Sequence, residues 1–114
     1  NGRISQSFNA LTDHFGVDVV TTADEPVKAC LDGTVIAAGW VPGEGNMIII
    51  QHNNDFISVY KHCSVLLRTQ GDKILTGDPI GIVGNTGENT SGPHLHFELW
   101  QKGNALNPQE FISF

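Results

Sequence analysis

Short apolar and β-branched runs recur along the chain, and each is followed by Gly, Asn or Asp. Runs of this length that end in turn-forming residues are typical of β-strands. No segment keeps a 3.6-residue period over three turns, so the pattern predicts a mostly antiparallel β domain with little helix. The predicted strands are Arg3–Phe8, His14–Val20, Val27–Cys30, Thr34–Gly39, Met47–His52, Ile57–His62, Pro79–Val83 and His94–Trp100.

The connections between these runs carry their own signals. Asn53-Asn54-Asp55 predicts a hairpin turn, and Asp32-Gly33 predicts a tight corner. We expect a helical turn over Ser64–Arg68 and a short terminal helix from Pro108 to Phe111, because proline suits the first helical position.

Length and charge narrow the class of protein. A chain of 114 residues suits one domain with a modest core. The net charge is −6 with six Lys and Arg, which argues against nucleic acid and against an anionic membrane surface as partners. No apolar run approaches the roughly 20 residues of a spanning helix, so we expect no membrane contact by this domain itself. Cys30 and Cys63 are expected to be two thiols rather than one disulfide.

Two of the five histidines form an HxH pattern in the last long run. Alternate side chains of a strand share a face, so His94 and His96 point the same way, about 6.7 Å apart along the strand. Leu95 and Phe97 then face a core. The pair is either part of a site or a pair of surface histidines.

A second polar pair lies in the run His14–Val20. There His14, Gly16 and Asp18 share one strand face, and Gly16 leaves space between the two polar side chains. Alone, this pair is better explained as a hydrogen bond. Together with one of the HxH histidines it offers two imidazoles and a carboxylate, a three-ligand set with a vacant fourth position that is typical of catalytic zinc. We therefore expect Zn²⁺ as the cofactor.

Other polar residues have weaker assignments. Tyr60 and His62 are expected to share one face of their strand, with His62 near the metal or in proton transfer. His52 is interpreted as structural, or as hydrogen-bonded to a neighbouring turn. Asp32 is interpreted as a turn former. Glu98 lies on the face of His94 and His96, and it either orients an imidazole or is an exposed strand-end carboxylate.

Several motifs follow one another over nearly the whole chain, from Gly2-Arg3-Ile4-Ser5 to Asn107-Pro108. They include the HxxxD of His14 and Asp18, Asp32-Gly33-Thr34-Val35, Gly45-Asn46, Tyr60-Lys61-His62, Gly77-Asp78-Pro79-Ile80-Gly81 and Gly92-Pro93-His94-Leu95-His96-Phe97-Glu98. In this order they resemble the lysostaphin- and LytM-type metallopeptidases, the M23 family. The resemblance implies a distorted antiparallel β-sandwich of the LytM type, a duplicated hybrid motif, with zinc in an active-site groove floored by strands.

The resemblance also implies the roles of single residues. The metal ligands would be His14, Asp18 and His96, and the catalytic residues would be His62 and His94. Tyr60 and Asn46 are candidates for substrate binding.

The function implied is that of a zinc-dependent endopeptidase acting on peptide cross-links of bacterial peptidoglycan, in the cell envelope. Residues 1–114 would be a single catalytic domain of a longer exported or membrane-anchored protein. Two departures stand out: Asn9–Asp13 is short where many relatives carry a longer loop, and Cys63 replaces a common leucine.

Three other functions compete with this interpretation. A non-catalytic or latent LytM-type domain would bind and activate other cell-wall hydrolases, but all five site residues are present here. A phosphocarrier domain of sugar transport also pairs two histidines, yet it does not need Asp18 and would favour basic surroundings. A lipoyl or biotinyl carrier needs a lysine at a hairpin tip, and the corresponding corners contain none.

Overall fold

The computed structural model describes residues 3–9, 16–20, 25–84 and 94–111. Their strands pair antiparallel throughout. Two three-residue 3-10 turns, Asn53–Asp55 and Pro108–Glu110, are the helical elements of this part. The strands are β1 (Arg3–Gln6), β2 (Val17–Val20), β3 (Pro26–Lys28), β4 (Gly33–Val41), β5 (Gly45–Gln51), β6 (Phe56–Leu66), β7 (Lys73–Ile74), β8 (Pro79–Val83), β9 (His94–Gln101) and β10 (Asn104–Leu106).

Each of the eight predicted strands overlaps an observed one, although His14 and Phe15 lie outside the described residues. The short strands β7 and β10 are additional. The helical turn expected over Ser64–Arg68 is wrong, because β6 continues to Leu66 and pairs there with β8. Tertiary pairing therefore overrides the local helical signal.

The sheet has the order β1-β2-β9-β6-β5-β4-β7, and β8 joins both β3 and β6. The first part of β6, up to Lys61, pairs with β9, whereas the part from Cys63 onward pairs with β8. The strand changes its neighbour between these two residues, at His62. This branch point lies beside the site described below.

One apolar core joins the two branches of the sheet. Val17, Phe97 and Leu99 contribute from β2 and β9, and Val27 and Ile80 contribute from β3 and β8. All five are at most 3% exposed. The distorted antiparallel β-sandwich expected from the sequence is thereby confirmed, with one continuous sheet closing over a shared core.

The turn residues behave as their chemistry predicts. Asn54 and Asp55 adopt positive φ of 61° and 62° in the turn between β5 and β6, a conformation that Asn and Asp tolerate better than most residues. At the Asp32 corner, Oδ1 accepts hydrogen bonds from the backbone N and Oγ1 of Thr76 at 2.6 and 2.8 Å. This contact joins two corners that are far apart in sequence. No helix in the described part of the chain is long and apolar enough to cross a membrane.

Candidate active site

Asp18 and His96 form a hydrogen-bonded pair between neighbouring strands. They are register partners on β2 and β9, so their side chains rise from the same face of the sheet. Asp18 Oδ1 lies 2.6 Å from His96 Nδ1, and the two side chains are 18% and 12% exposed. A carboxylate oxygen and an imidazole nitrogen, the two donor types of hydrolytic zinc sites, therefore meet in a mostly buried position.

The second ring nitrogen of His96, Nε2, also has a hydrogen-bond partner. His96 Nε2 lies 2.8 Å from Glu98 Oε2, and the other carboxylate oxygen accepts a hydrogen bond from Trp100 Nε1 at 2.9 Å. Lys61 Nζ lies 2.9 Å from the same Oε2 and also pairs with the carboxylate of Glu44. Of the two roles open to Glu98, the structure favours orientation of an imidazole.

Gly16 makes room for this contact. A Cβ at that position would lie 2.5 Å from the carbonyl oxygen of Phe97, 2.8 Å from Glu98 Cγ and 2.9 Å from His96 Nε2. The expectation that Gly16 leaves open space for a ligand is therefore wrong. The space that a side chain would need at residue 16 is occupied by atoms of β9, which lie directly against the backbone there.

The charges in this cluster stabilise one another. Burial by itself would lower the pKa of His96, but the hydrogen bonds to Asp18 and Glu98 outweigh it and raise the pKa to about 9. Burial would raise the pKa of Glu98, yet hydrogen bonds from His96, Lys61 and Trp100 lower it to about 2. The pKa of Lys61 is raised by its two carboxylate partners in spite of its burial.

The remaining two histidines of the site lie beside this pair. The ring centroids of His62 and His94 are 5.0 Å apart, and those of His62 and His96 are 6.0 Å apart. His62 and His94 are both half-buried. Three imidazoles from two different strands therefore lie next to one another, and one of them, His96, is hydrogen-bonded to Asp18.

His62 reaches this cluster because the alternation of β6 breaks at that residue. Its neighbour Lys61 pairs with His96 on the site face, so a regular strand would turn His62 toward the core. Instead His62 has a φ of 67°. Its backbone N–H donates to the carbonyl oxygen of Glu44 at 3.1 Å, and Asn46 Nδ2 donates to the carbonyl oxygens of Cys63 and Ser64 at 3.0 and 3.1 Å.

Tyr60 does not share a face with His62, and that expectation is wrong. Tyr60 is 1% exposed and packs on Phe97 with ring centroids 5.2 Å apart. Its hydroxyl accepts a hydrogen bond from the backbone N of Cys30 and donates to Cys30 Sγ. A side chain that is this deeply buried cannot contact a substrate, so the structure does not support Tyr60 as a substrate-binding residue. The side-chain amide of Asn46, the other candidate, is engaged with the backbone that follows His62.

The residues expected to be structural have structural contacts. His52 is 7% exposed and lies 2.7 Å from both the Asp32 carbonyl oxygen and Ser58 Oγ, which confirms a hydrogen bond to a neighbouring turn. Cys30 and Cys63 are thiols, as expected, with no disulfide between them. Burial raises the pKa of Cys63 to about 12, so this residue behaves as a small apolar side chain.

The expected ligand His14 lies outside the described residues, as do residues 10–13 of the short segment that should form one wall of the groove. Among the described residues there is no group of three or more His, Cys, Asp or Glu side chains arranged to hold a metal ion. Asp18 and His96 nevertheless fit zinc in their chemistry, because they offer one oxygen and one nitrogen side by side. The contact of Glu98 with the far nitrogen of His96 is common at zinc-bound histidines.

The sequence pattern did not single out Lys61 or Glu44. Both are ordinary charged residues in sequence, and a strand-end lysine is usually solvated. The available signal was the position of Lys61 between Tyr60 and His62, where one side chain of the run must face the HxH histidines.

An antiparallel β domain that brings three histidine rings together, one of them hydrogen-bonded to a carboxylate, has the architecture of the β-sheet peptidase families. A sequence comparison identifies the particular family. The chain belongs to peptidase family M23, whose sequence profile matches residues 12–108.

Two curated relatives illustrate the range of this family. The chain is 40% identical over 94 residues to the peptidoglycan DD-endopeptidase ShyA of Vibrio cholerae serotype O1, covering 82% of the chain and 22% of the relative. It is 34% identical over 113 residues to the murein hydrolase activator NlpD of Escherichia coli K12, covering 97% of the chain and 29% of the relative. The chain thus spans less than a third of the length of these proteins.

Solved structures share the fold. A zinc containing peptidase from Vibrio cholerae superposes with a TM-score of 0.85 at 31% identity, over 93% of this chain and 35% of that one. The catalytic domain of lysostaphin, an antimicrobial peptidase from Staphylococcus simulans, gives a TM-score of 0.80 at 35% identity, over 86% of this chain and 77% of that one. The relatives named here therefore comprise peptidases and a hydrolase activator.

Proposed function

We propose that this chain is a zinc-dependent endopeptidase domain that hydrolyses peptide cross-links of bacterial peptidoglycan. The observation that carries the proposal is the hydrogen-bonded pair of Asp18 and His96 with the rings of His62 and His94 beside it. The relatives named as a DD-endopeptidase and as a zinc containing peptidase support both the substrate class and the metal.

In this proposal His14, Asp18 and His96 hold the metal. Bound zinc would supply a water molecule that is acidic near neutral pH, and a positive charge next to the scissile carbonyl. Asp18 contributes the one carboxylate of the ligand set.

The two remaining histidines have the proton-transfer roles. His62 and His94 are half-buried and lie on the same side of the sheet as the ligand pair. An imidazole can either accept or donate a proton near neutral pH. One of the two takes the proton of the attacking water, and the other donates a hydrogen bond to the oxyanion of the substrate.

The cellular setting follows from the same relatives. One relative is named as a peptidoglycan endopeptidase and the other as a murein hydrolase activator, and both names support a cell-wall setting. We therefore propose that this domain acts in the cell envelope, either periplasmic or extracellular. We also propose that residues 1–114 are one catalytic domain of a longer exported or membrane-anchored protein. The coverage of 22% and 29% of the two relatives supports this arrangement.

A second candidate function is activation of other cell-wall hydrolases, because the similarity to NlpD covers 97% of the chain. One experiment separates the two functions. Purified domain of measured zinc content is incubated with cross-linked peptidoglycan from several wall types, with and without a zinc chelator. Chelator-sensitive release of muropeptides with new peptide ends supports the peptidase. No release by zinc-loaded protein contradicts the peptidase and favours the activator.

A further inference from the structure

The carboxylate of Glu98 receives three donors. Oε2 lies 2.8 Å from His96 Nε2 and 2.9 Å from Lys61 Nζ, and Oε1 accepts from Trp100 Nε1 at 2.9 Å. Glu98 itself is only 9% exposed, so water cannot readily replace these partners. The roles proposed above for the metal ligands and for His62 and His94 do not explain why Glu98 is surrounded by these three donors.

A carboxylate that only accepts hydrogen bonds fixes the proton on its histidine partner. Because Lys61 Nζ and Trp100 Nε1 both donate to Glu98, this carboxylate is an acceptor toward His96 as well, and His96 Nε2 carries the hydrogen that lies between the two groups. When His96 is neutral, as a metal ligand must be, its lone pair is then on Nδ1. That nitrogen faces Asp18 Oδ1, on the side where the metal would be held.

Lys61 supports Glu98 from the neighbouring strand. It is the register partner of His96 on β6, and its ammonium group bridges the carboxylates of Glu98 and Glu44. Glu44 in turn accepts the backbone N–H of His62 through its own carbonyl oxygen. The turn between β4 and β5 therefore contacts both halves of the site, the ligand His96 through Lys61 and Glu98, and His62 directly.

We infer that Glu98 and Lys61 are positioning residues that hold the ring of His96 with Nδ1 directed at the metal position. The inference rests on the proposed zinc site and adds to it the ring nitrogen that binds the ion and the side chains that select it. Outer partners of this kind typically contribute 10- to 100-fold to metal affinity.

Glu98→Gln tests the inference with almost no change of shape. An amide has one accepting oxygen and one donating NH₂ group, whereas Glu98 faces donors on both sides. If the oxygen faces Trp100, the NH₂ group faces His96 and favours the ring form with hydrogen on Nδ1. We expect zinc affinity, measured by competition with a chromophoric chelator, to fall about 10- to 100-fold. The exposed Glu110→Gln is the matched control and should bind zinc like the wild type.

A second substitution should restore binding. In Glu98→Gln with Trp100→Phe, the donor on the Oε1 side is gone, so the amide oxygen can turn toward His96 and Lys61. We expect this double variant to bind zinc more tightly than Glu98→Gln alone. A merely structural role of Glu98 predicts the opposite, since a second change in a half-buried cluster would add to the damage.

Lys61→Met removes the ammonium group and keeps the apolar stem. We expect weaker zinc binding than in Lys73→Met, a change of the same type at an exposed lysine of β7. The wild type provides a test that does not depend on any variant folding. In zinc-loaded protein with ¹⁵N-labelled histidine, the ring hydrogen of His96 should be on Nε2, and a hydrogen on Nδ1 would overturn the inference.

The outcomes separate this inference from the proposed function. If the wild type does not bind zinc, the proposed metal site fails. If the wild type binds zinc and Glu98→Gln binds it equally well, only the positioning roles fail. Loss of affinity in Glu98→Gln together with recovery in the double variant supports the inference.

Discussion

The imidazole of His62 lies with its ring centroid 5.0 Å from that of His94, although regular alternation along β6 would place it on the other face of the sheet. The difference comes from the left-handed backbone at His62, with a φ of 67°. Its position coincides with the point at which β6 exchanges β9 for β8 as its neighbour. A local irregularity of the fold therefore supplies one of the two proposed catalytic histidines.

This backbone conformation should be visible in stability measurements. A left-handed residue with a Cβ costs about 1–2 kcal/mol relative to glycine. We therefore expect His62→Gly to exceed His62→Ala in free energy of unfolding by about 1 kcal/mol, measured by urea denaturation. Both variants should lose most of the activity.

The same pair of substitutions at His94 is the control. His94 lies in an extended strand, where glycine is less stable than alanine by roughly 0.5–1 kcal/mol. The order of the two variants should therefore reverse. An identical order at both positions would contradict the assignment of backbone strain to His62.

Gly16→Ala should destabilise the domain. The added Cβ would lie 2.5 Å from the Phe97 carbonyl oxygen, a backbone atom that cannot move aside without shifting β9. We expect a loss of about 1–3 kcal/mol in thermal or chemical unfolding, as for overpacked cores. Gly39→Ala is the control, because nothing lies within 4 Å of its added Cβ. Equal effects at the two positions would argue against the close approach of β9 to residue 16.

Metal retention and activity should separate among the histidines. His96→Ala removes a proposed ligand and should lose zinc and muropeptide release together. His62→Ala should keep zinc and lose activity by a factor of about 10²–10⁴, the usual contribution of a general acid or base. Zinc content by atomic absorption checks the first statement and an activity assay the second. Loss of zinc from the His62 variant would mean that its role is misassigned.

The two thiols should be slow to react in the native protein. Burial raises the pKa of Cys63 to about 12 and also raises that of Cys30, so neither forms much thiolate at pH 8. Alkylation by iodoacetamide, followed by mass spectrometry, should be slower at buried Cys63 than at half-buried Cys30. In denaturant both should react quickly. Rapid native labelling of Cys63 would revive the idea of a regulatory thiol next to His62.

The Asp32 corner should contribute a pH-dependent part of stability. The hydrogen bonds from Thr76 lower the pKa of Asp32 below its ordinary value of 3.8. A lowered pKa in the folded state means that the contribution is present above pH 3.8 and is lost as the pH falls through the folded-state pKa. The melting temperature of wild type should exceed that of Asp32→Asn at pH 7, and the gap should narrow toward pH 3. A gap that is constant with pH would contradict this assignment.

Much of the fold follows from the sequence pattern, because alternation and turn residues are local properties. His94 and Phe97 are placed on the expected faces of β9, and Asn54 and Asp55 form the expected turn. The two missed strands have two and three residues, which is too short for any periodicity to show. They exist because longer neighbours offer them partners.

The arrangement of the site residues is harder to predict from alternation and turn residues than the fold is. Alternation predicts the proximity of His94 and His96, but it places His62 with Tyr60, since no local signal reveals the break in β6. The bridge of Lys61 between Glu44 and Glu98 depends on which strands become neighbours, and that is decided by the whole sheet. The motif resemblance was enough to predict the site histidines. The contacts of Glu44, Lys61 and Glu98 that surround them are visible only in the structure.

The pairing of Asp18 with His96 joins positions 78 residues apart in the chain. Such a contact closes late, since neighbouring strands must first be held in place by the rest of the sheet. Among the strands that the structure describes, β9 leaves the ribosome after β1 to β8. A nascent chain, or one cut before β9, therefore lacks His94 and His96, two of the five proposed site residues. In the proposed hydrolase, the order of the strands would by itself delay activity until β9 has been synthesised.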